Sequence, residues 1–468
     1  MLSSIDRIVV PTSQRPDLLN RALFSFQDSR EKTNSFPPLL ILDDSPATEM
    51  AEKNRSVVES IRRSSNMPIR YCGPDYRKKF LFKLIEDSKQ ESSSIQFTQS
   101  ASFFTDNAAF SGGIRNLALL LTAGQTVLSF DDDVLHNYRK ISSRYSKRAN
   151  PDDHPVFLCF GTRKQLLKST IPIDTHITDF SALLHLQTNM NDQHLSRPKI
   201  GMAGVYGDKW FTNPYALLSV SKEYRSKVWP RFQAFSMART EPHVLLLSPE
   251  VSYSESPFFV STCFLYNANE ILPPFLPGIR ASDSIWAWMI RLMYPNSPIM
   301  HLPIAIEHST DGRNTFAEND FKNIRFSMAE LLNLLLEYSA IGIPALSPRE
   351  VLIALGEKII IISKLSPNAL RELCSELVFV AIAKRIKEYN HQIEMSGGRP
   401  KPWNRAVSDH IELLKHLSGQ KKIWCPKELN NTPRGKRIVQ LKDYLFNTGC
   451  MLLDWSGLWT SAMSMEIR

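Results

Sequence analysis

Two short apolar runs in this chain stop abruptly on carboxylates, and that pattern constrains the fold more than any other feature. Leu39-Leu40-Ile41-Leu42 runs into Asp43-Asp44-Ser45-Pro46, and Thr126-Val127-Leu128-Ser129-Phe130 runs into Asp131-Asp132-Asp133. Short, largely apolar runs without polar alternation read as strands buried on both faces. Ionised side chains cannot follow such a strand into the core unpaired, so each acidic cluster must emerge at a strand end. A third run, Arg7-Ile8-Val9-Val10, breaks at Pro11-Thr12. Asp17 then opens a segment whose Leu18, Leu19, Ala22, Leu23 and Phe26 recur at helical spacing. Val57, Val58 and Ile61 mark a second helix, and Pro68-Ile69-Arg70-Tyr71-Cys72 a third strand. This alternation predicts an α/β fold with a central, mostly parallel sheet that meets its ligands at the carboxyl ends of its strands.

Residues 86 to 108 show no period and predict a loop, after which Asn116 to Leu121 predict a short helix that Gly124 ends. The stretch from Arg163 to Lys227 is irregular and carries Gly201, Gly204 and Gly207, which predicts mobile loops over a site. Phe258 to Leu265 reads as a strand, Ser282 to Met293 as an amphipathic helix, and Ile299 to Ile306 as a strand ending in Glu307-His308. Beyond residue 315 long helical periods replace the alternation, with a Gly-Gly-Arg-Pro-Lys-Pro joint at 397 to 402. A length of 468 residues exceeds what one core usually serves. The expected organisation is therefore an α/β domain over residues 1–315 and a helical C-terminal extension over 316–468.

Composition narrows the function classes. Hydrophobic residues at 43% and charged residues at 22% are those of a globular protein. No apolar run approaches the roughly 20 residues of a membrane span. The opening Met1-Leu2-Ser3-Ser4-Ile5 lacks the basic start and apolar stretch of a signal peptide, which predicts a cytoplasmic location. The six cysteines are widely spaced without a C-x-x-C pair, so buried thiols are expected rather than a zinc site. The net charge of +9 suits an anionic partner and leaves peripheral contact with an acidic membrane surface open. Without an aromatic-studded basic motif, nucleic acid is not an expected partner.

The order of these features resembles the inverting glycosyltransferase family 2, which has a GT-A fold. The family's opening strand and turn correspond to Val9-Val10-Pro11-Thr12-Ser13-Gln14-Arg15-Pro16, followed by Leu19, Arg21-Ala22-Leu23 and Ser25. Its Asp-Asp-Gly-Ser strand end appears as Asp43-Asp44-Ser45-Pro46, without the glycine. Its Gly-x-x-x-Ala-Arg-Asn helix appears as Gly112-Gly113-Ile114-Arg115-Asn116, and its Asp-x-Asp strand end as Asp131-Asp132-Asp133. Further on, Ser261-Thr262, Pro274-Phe275-Leu276-Pro277, Ser282-Asp283 and the Ile304-Ala305-Ile306-Glu307-His308 strand fall in the family's order, with Leu276 replacing an Asp and Ser282 a common Glu. The resemblance covers about residues 7 to 310.

The resemblance implies a nucleotide-sugar donor, UDP-linked, gripped by Pro11, Thr12, Arg15, Asp43, Asp44, Arg115, Asn116, Asp131 and Asp132. It implies Mn²⁺ or Mg²⁺ on Asp131 and Asp133, with His308 as a further contact, and Asp283 as the general base for an acceptor hydroxyl. Paired carboxylates at a strand end are suited to such an ion, which diphosphate oxygens and water complete. The acceptor, whether glycan, lipid-linked, peptide or small molecule, is not legible. Residue by residue the bland alternatives stand: Asp43-Asp44 and Asp283 could cap helices, and His308 could be a hydrogen-bonded core histidine. Two rival functions also stand. One is a catalytically degenerate nucleotide-sugar or carbohydrate binder on the same scaffold. The other is a sugar-phosphate nucleotidyltransferase, whose Gly-rich phosphate loop is absent here.

Overall fold

The computed structural model describes residues 5–30, 37–46, 48–65, 67–89, 112–142, 155–173, 197–220, 222–310, 315–322, 324–344, 346–398, 400–420 and 423–465. The chain opens with β1 (Arg7–Thr12), α1 (Pro16–Arg30), β2 (Leu39–Asp43), α2 (Thr48–Ser65), β3 (Ile69–Cys72) and α3 (Pro74–Lys89). It continues through α4 (Gly112–Leu121), β4 (Thr126–Phe130), β5 (Val134–Ile141), β6 (Val156–Phe160), α5 (Arg163–Lys168), β7 (Thr170–Pro172) and β8 (Ile200–Asp208). Next come α6 (Lys222–Val228), α7 (Phe232–Thr240), β9 (His243–Leu247), β10 (Ser252–Ser254), β11 (Cys263–Asn267), α8 (Ser282–Met293) and β12 (Ile299–His308). The elements after β12 are helical: α9 (Met328–Ala340), α10 (Pro348–Ser363), α11 (Pro367–Ser396), α12 (Lys401–Ser418) and α13 (Arg437–Ser464), besides short 3₁₀ turns.

The strands form one sheet in the order β3-β2-β1-β4-β11-β8-β12-β5-β7, with β10 on β12 and β9 bridging β8 and β6. The expected α/β class with a parallel central sheet is found: β3, β2, β1 and β4 run parallel, as do β8 and β12. Because β11 is antiparallel to both β4 and β8, the carboxyl ends of β1, β2, β4, β8 and β12 share one edge. Alternation along β1 divides the core. Ile8 and Val10 face α1 and α2 with Leu19, Phe26 and Val58, whereas Val9 faces the layer of α3, α4 and α8.

Helix and strand bounds mostly match the sequence reading, and α8 and β4 match it to the residue. Three corrections are needed. The expected 86–108 loop is helical as far as Lys89, its remainder lying outside the described residues. The strand expected at 258–265 begins only at Cys263. The stretch around Gly201–Gly207, read as mobile loop, is the nine-residue β8 inside the sheet. Its glycines are packing devices. A Cβ on Gly204 would lie 2.4 Å from Leu246 O, and one on Gly207, at φ +118°, would lie 2.3 Å from His308 O. Small residues that permit close strand approach look, in sequence, like residues that permit looseness.

The C-terminal helices share the main core. Residues of α9, α10, α11 and α13 belong to the same continuous apolar cluster as α3, α4 and α8. Helix α13 lies on α3 and α4, and α10 lies on α8 and α13. Two hydrogen bonds tie α13 to the segment before α8: Trp455 Nε1 donates to Leu272 O at 2.5 Å, and Tyr444 OH to Pro277 O at 2.7 Å. Helices α10 and α13 meet at Gly356 and Gly449, where a Cβ on Gly449 would sit 2.5 Å from Ile360 Cγ1 and 2.8 Å from Gly356 O. Gly449→Leu is therefore an overpacking change expected to cost about 1–3 kcal/mol. Urea unfolding of the full chain reads it directly, and an unchanged midpoint would show that the two helices do not meet there.

Candidate active site

The shared strand edge gathers most of the residues singled out from sequence. Thr12 ends β1, Asp43 ends β2, Asp131 to Asp133 follow β4, and His308 ends β12. Thr12 Oγ1 donates to Asp132 Oδ2 at 2.7 Å. Arg15 Nη1 reaches Asp132 Oδ1 at 3.1 Å and Asp133 Oδ2 at 3.4 Å. Arg115, from the first turn of α4, donates through Nη2 to Asp131 Oδ1 at 2.6 Å. His308 Nε2 faces Asp133 Oδ1 at 3.5 Å, and its Nδ1 lies 2.9 Å from Asp208 O at the end of β8. Each carboxylate of the triad thus has its own cation.

Burial sets the electrostatics. Desolvation pushes Asp131 and Asp132 above the usual carboxylate range, opposed by Arg115 and Arg15 respectively. Desolvation also acts upward on Asp133, but His308 and Arg15 outweigh it and hold the group below its ordinary value. His308 resists its own desolvation and is raised to about 9 by Asp133 and the Asp208 carbonyl.

Asp43 and Asp44 are anchored from within. Asp43 accepts from Ser45 N at 2.8 Å, Asn54 Nδ2 at 3.0 Å and Tyr71 OH at 2.6 Å. Asp44 is ion-paired with Arg77 in the first turn of α3, and its backbone N donates to Thr12 O at 2.8 Å. Asn54, Tyr71 and Arg77 were missed from sequence. A signal existed only for Asn54, an amide on the apolar stripe Ala51, Val58 and Ile61. Pro11 is buried in β1 and brings no side-chain hydrogen bond.

Asn116 is structural scaffolding for the site. Its side chain brackets the Phe275 backbone, donating to Phe275 O at 2.9 Å and accepting from Phe275 N at 2.6 Å. Gly112 lets α4 abut this turn, since a Cβ there would lie 2.4 Å from Leu276 O. Phe275 in turn stacks on Trp286 of α8 at 4.3 Å and lies 5.8 Å from the Arg115 guanidinium. Trp286 is fully buried, as its place in the apolar face of α8 predicts.

Asp283 lies in the first turn of α8, and the N-cap position belongs to Ala281. The helix-cap alternative for Asp283 is thereby weakened. Its Oδ2 faces Ser261 N at 3.3 Å and Ser261 Oγ at 3.4 Å, and Oδ1 accepts from Ser284 N at 3.0 Å. The neighbouring Thr262 carbonyl accepts from Asp131 N at 3.0 Å. One dipeptide, Ser261-Thr262, therefore joins Asp283 to the acidic strand end. Burial raises the Asp283 pKa, with Arg115 opposing. The two non-glycine residues with positive φ among the described residues are Gln14 at 55° and Ala281 at 61°, both beside this edge, where strained backbone tends to collect.

Some buried atoms of the site lack a hydrogen-bond partner, Asn54 Oδ1 among them. Arg115 Nη1 is buried without a hydrogen-bond partner, and Asp133 Oδ1 accepts no hydrogen bond while facing His308. Among the described residues no three His, Cys, Asp or Glu side chains converge as a ready metal cage. Asp133 and His308 fit a divalent ion held by two protein groups, provided that substrate oxygens and water complete its shell. The remaining acids are committed to Arg115, Arg15 and Thr12.

No protein-family model matches the chain, and no curated protein sequence matches it either. Among solved structures it is similar to S. aureus TarS. A structure of TarS residues 1–349 aligns at 13% identity and a TM-score of 0.33, over 88% of this chain and 89% of that one. A longer TarS structure aligns at 13% identity and a TM-score of 0.35, over 88% of this chain and 54% of that one. At this distance the likeness carries nothing about chemistry.

The His308–Asp133 pair makes a pH prediction for metal-free protein. A histidine raised from 6.5 to about 9 stabilises the fold fully below pH 6.5, and that contribution is lost as pH rises through about 9. Denaturant midpoints measured in chelator between these limits should fall more steeply for wild type than for His308→Gln. Equal slopes would mean that the pair does not form.

Proposed function

We propose that this chain is an inverting glycosyltransferase that moves a sugar from a nucleoside-diphosphate donor, UDP-linked, to an acceptor hydroxyl. The observation that carries the reading is the Ser261-Thr262 bridge, which puts a half-buried carboxylate, Asp283, beside the Asp131–Asp133 strand end and the half-satisfied Arg115.

In this reading the nucleoside lies along Pro11-Thr12 and Asp43-Asp44, with Asp131, Asp132 and Asn116 helping to shape the donor side. The diphosphate meets Arg115, whose free Nη1 supplies a donor, and Arg15. A divalent ion, Mn²⁺ or Mg²⁺, would be held by Asp133 and His308 with Asp131 nearby, and would offset charge on the departing diphosphate. His308 must lose its proton to ligate, so metal affinity should rise with pH. Asp283 takes the proton of the acceptor hydroxyl as that oxygen attacks the anomeric carbon from the face opposite the diphosphate. The sugar's bond to the diphosphate breaks and the configuration inverts. A raised pKa makes Asp283 a stronger base than an exposed aspartate.

A binding protein on the same scaffold is the second reading. It is favoured by the internal pairing of Asp43 with Asn54 and Tyr71 and of Asp44 with Arg77, which leaves those carboxylates little capacity for a base. Release of free nucleoside diphosphate from a nucleotide sugar separates the two readings.

Two substitutions test the assignment. Asp283→Asn keeps shape and hydrogen-bonding reach but not basicity, so transfer to a hydroxyl acceptor should fall by about 10²-fold or more with donor affinity little changed. A rate within about threefold of wild type removes Asp283 from the chemistry. The acid limb of wild-type kcat/KM should lie above the ordinary carboxylate range. Separately, Asp133→Ala should abolish the restoration of activity by Mn²⁺ after chelation; full activity of wild type in excess chelator would rule out the ion.

A further inference from the structure

The opposite edge of the sheet carries a second concentration of charge. At the amino ends of β1, β2 and β3 a cavity of about 710 Å³ opens, and its lining includes Arg7, Arg62, Arg63 and Arg70 with a single carboxylate, Glu59. Glu59 is already engaged by Arg62 at 3.7 Å, a pair exposed to solvent. Four guanidinium groups therefore face one partly spent carboxylate in the lining, with Asp6 acting on Arg7 from outside it.

Arg62 and Arg63 end α2, where cations offset the helix dipole, and that placement explains them without a ligand. It does not explain Arg7 and Arg70, which come from two different strands. Arg70 donates to Tyr76 OH at 3.0 Å and lies over that ring at 4.9 Å. Arg7 has an Nε buried without a hydrogen-bond partner. Burial, and then the like charge of Arg70, pull its pKa down. Such a group is costly unless an anion completes it.

We propose that this cavity binds a small phosphorylated molecule, its phosphate held by Arg7 and Arg70 with Arg62 and Arg63 at the mouth. The guanidinium fork matches phosphate oxygens bidentately. The volume lies within the ~300–1,000 Å³ usual for small-ligand sites and is larger than a bare phosphate needs. Pro38, Met67 and Pro68 on its wall offer apolar surface for the rest of the molecule. The site lies at the amino end of β1, with Thr12 at the carboxyl end, so it is separate from the donor site and does not depend on the glycosyltransferase reading.

The test is calorimetric titration of the full chain with glucose 6-phosphate in chelator and phosphate-free buffer, with glucose as control. Saturable binding of the phosphorylated sugar alone is expected. It should weaken about tenfold or more in Arg7→Gln/Arg70→Gln and in Arg62→Gln/Arg63→Gln, and persist in Arg115→Gln. The Arg62/Arg63 pair is solvent-exposed, so its variant folds and keeps the test decisive. Unchanged affinity in that variant, loss only in Arg115→Gln, or no saturable binding would each overturn the site. Flotation with phosphatidylcholine vesicles containing phosphatidic acid, in the absence of any response to glucose 6-phosphate, would reassign the phosphate to a lipid headgroup and overturn the small-molecule ligand.

Discussion

Three strand ends, those of β2, β4 and β8, deliver Asp43, Asp44, Asp131, Asp132, Asp133 and Asp208 to one edge of one sheet, and the surrounding architecture answers that accumulation of negative charge. A buried carboxylate without a partner costs several kcal/mol. The turn after β1 supplies Arg15, the first turn of α4 supplies Arg115, the first turn of α3 supplies Arg77, and the end of β12 supplies His308. Removing any of these elements would strand a charge. The pairing leaves Arg115 Nη1 and the His308-facing oxygen of Asp133 without a hydrogen bond.

The C-terminal helices bear on this edge at one remove. Helix α13 holds the segment from Leu272 to Pro277 through Trp455 and Tyr444. That segment is bracketed by Asn116, one residue from Arg115, and Pro273 O accepts from Trp286 Nε1 at 2.7 Å, three residues from Asp283. A single turn thus joins the helical layer to both Arg115 and Asp283. Close approach at Gly356 and Gly449 lets α10 and α13 act as one slab behind it.

Much of the fold was legible because local chemistry and tertiary environment agree there. The apolar β4 run, the acidic stop at Asp131 and the amphipathic α8 each have one sensible reading. The β8 strand was not legible, since Gly201, Gly204 and Gly207 carry no strand signal and exist to let Met300, Leu246 and His308 respectively approach. The roles of Asp43 and Asp44 were also hidden. Their partners Asn54, Tyr71 and Arg77 lie on three later elements, and no spacing rule connects them.

By itself the sequence determined that a parallel α/β sheet would place carboxylates at its strand ends, because apolar runs must be buried and ionised groups must leave them. It also determined that the chain beyond β12 would be helical, through its long helical periods. Only the tertiary structure decided which cation each carboxylate meets. It also set Asp283 two residues inside its helix and against Ser261, and fused the helical region to the α/β core. The reason is physical: burial and period are properties of a segment, whereas charge pairing and close approach are properties of segments that meet only after folding.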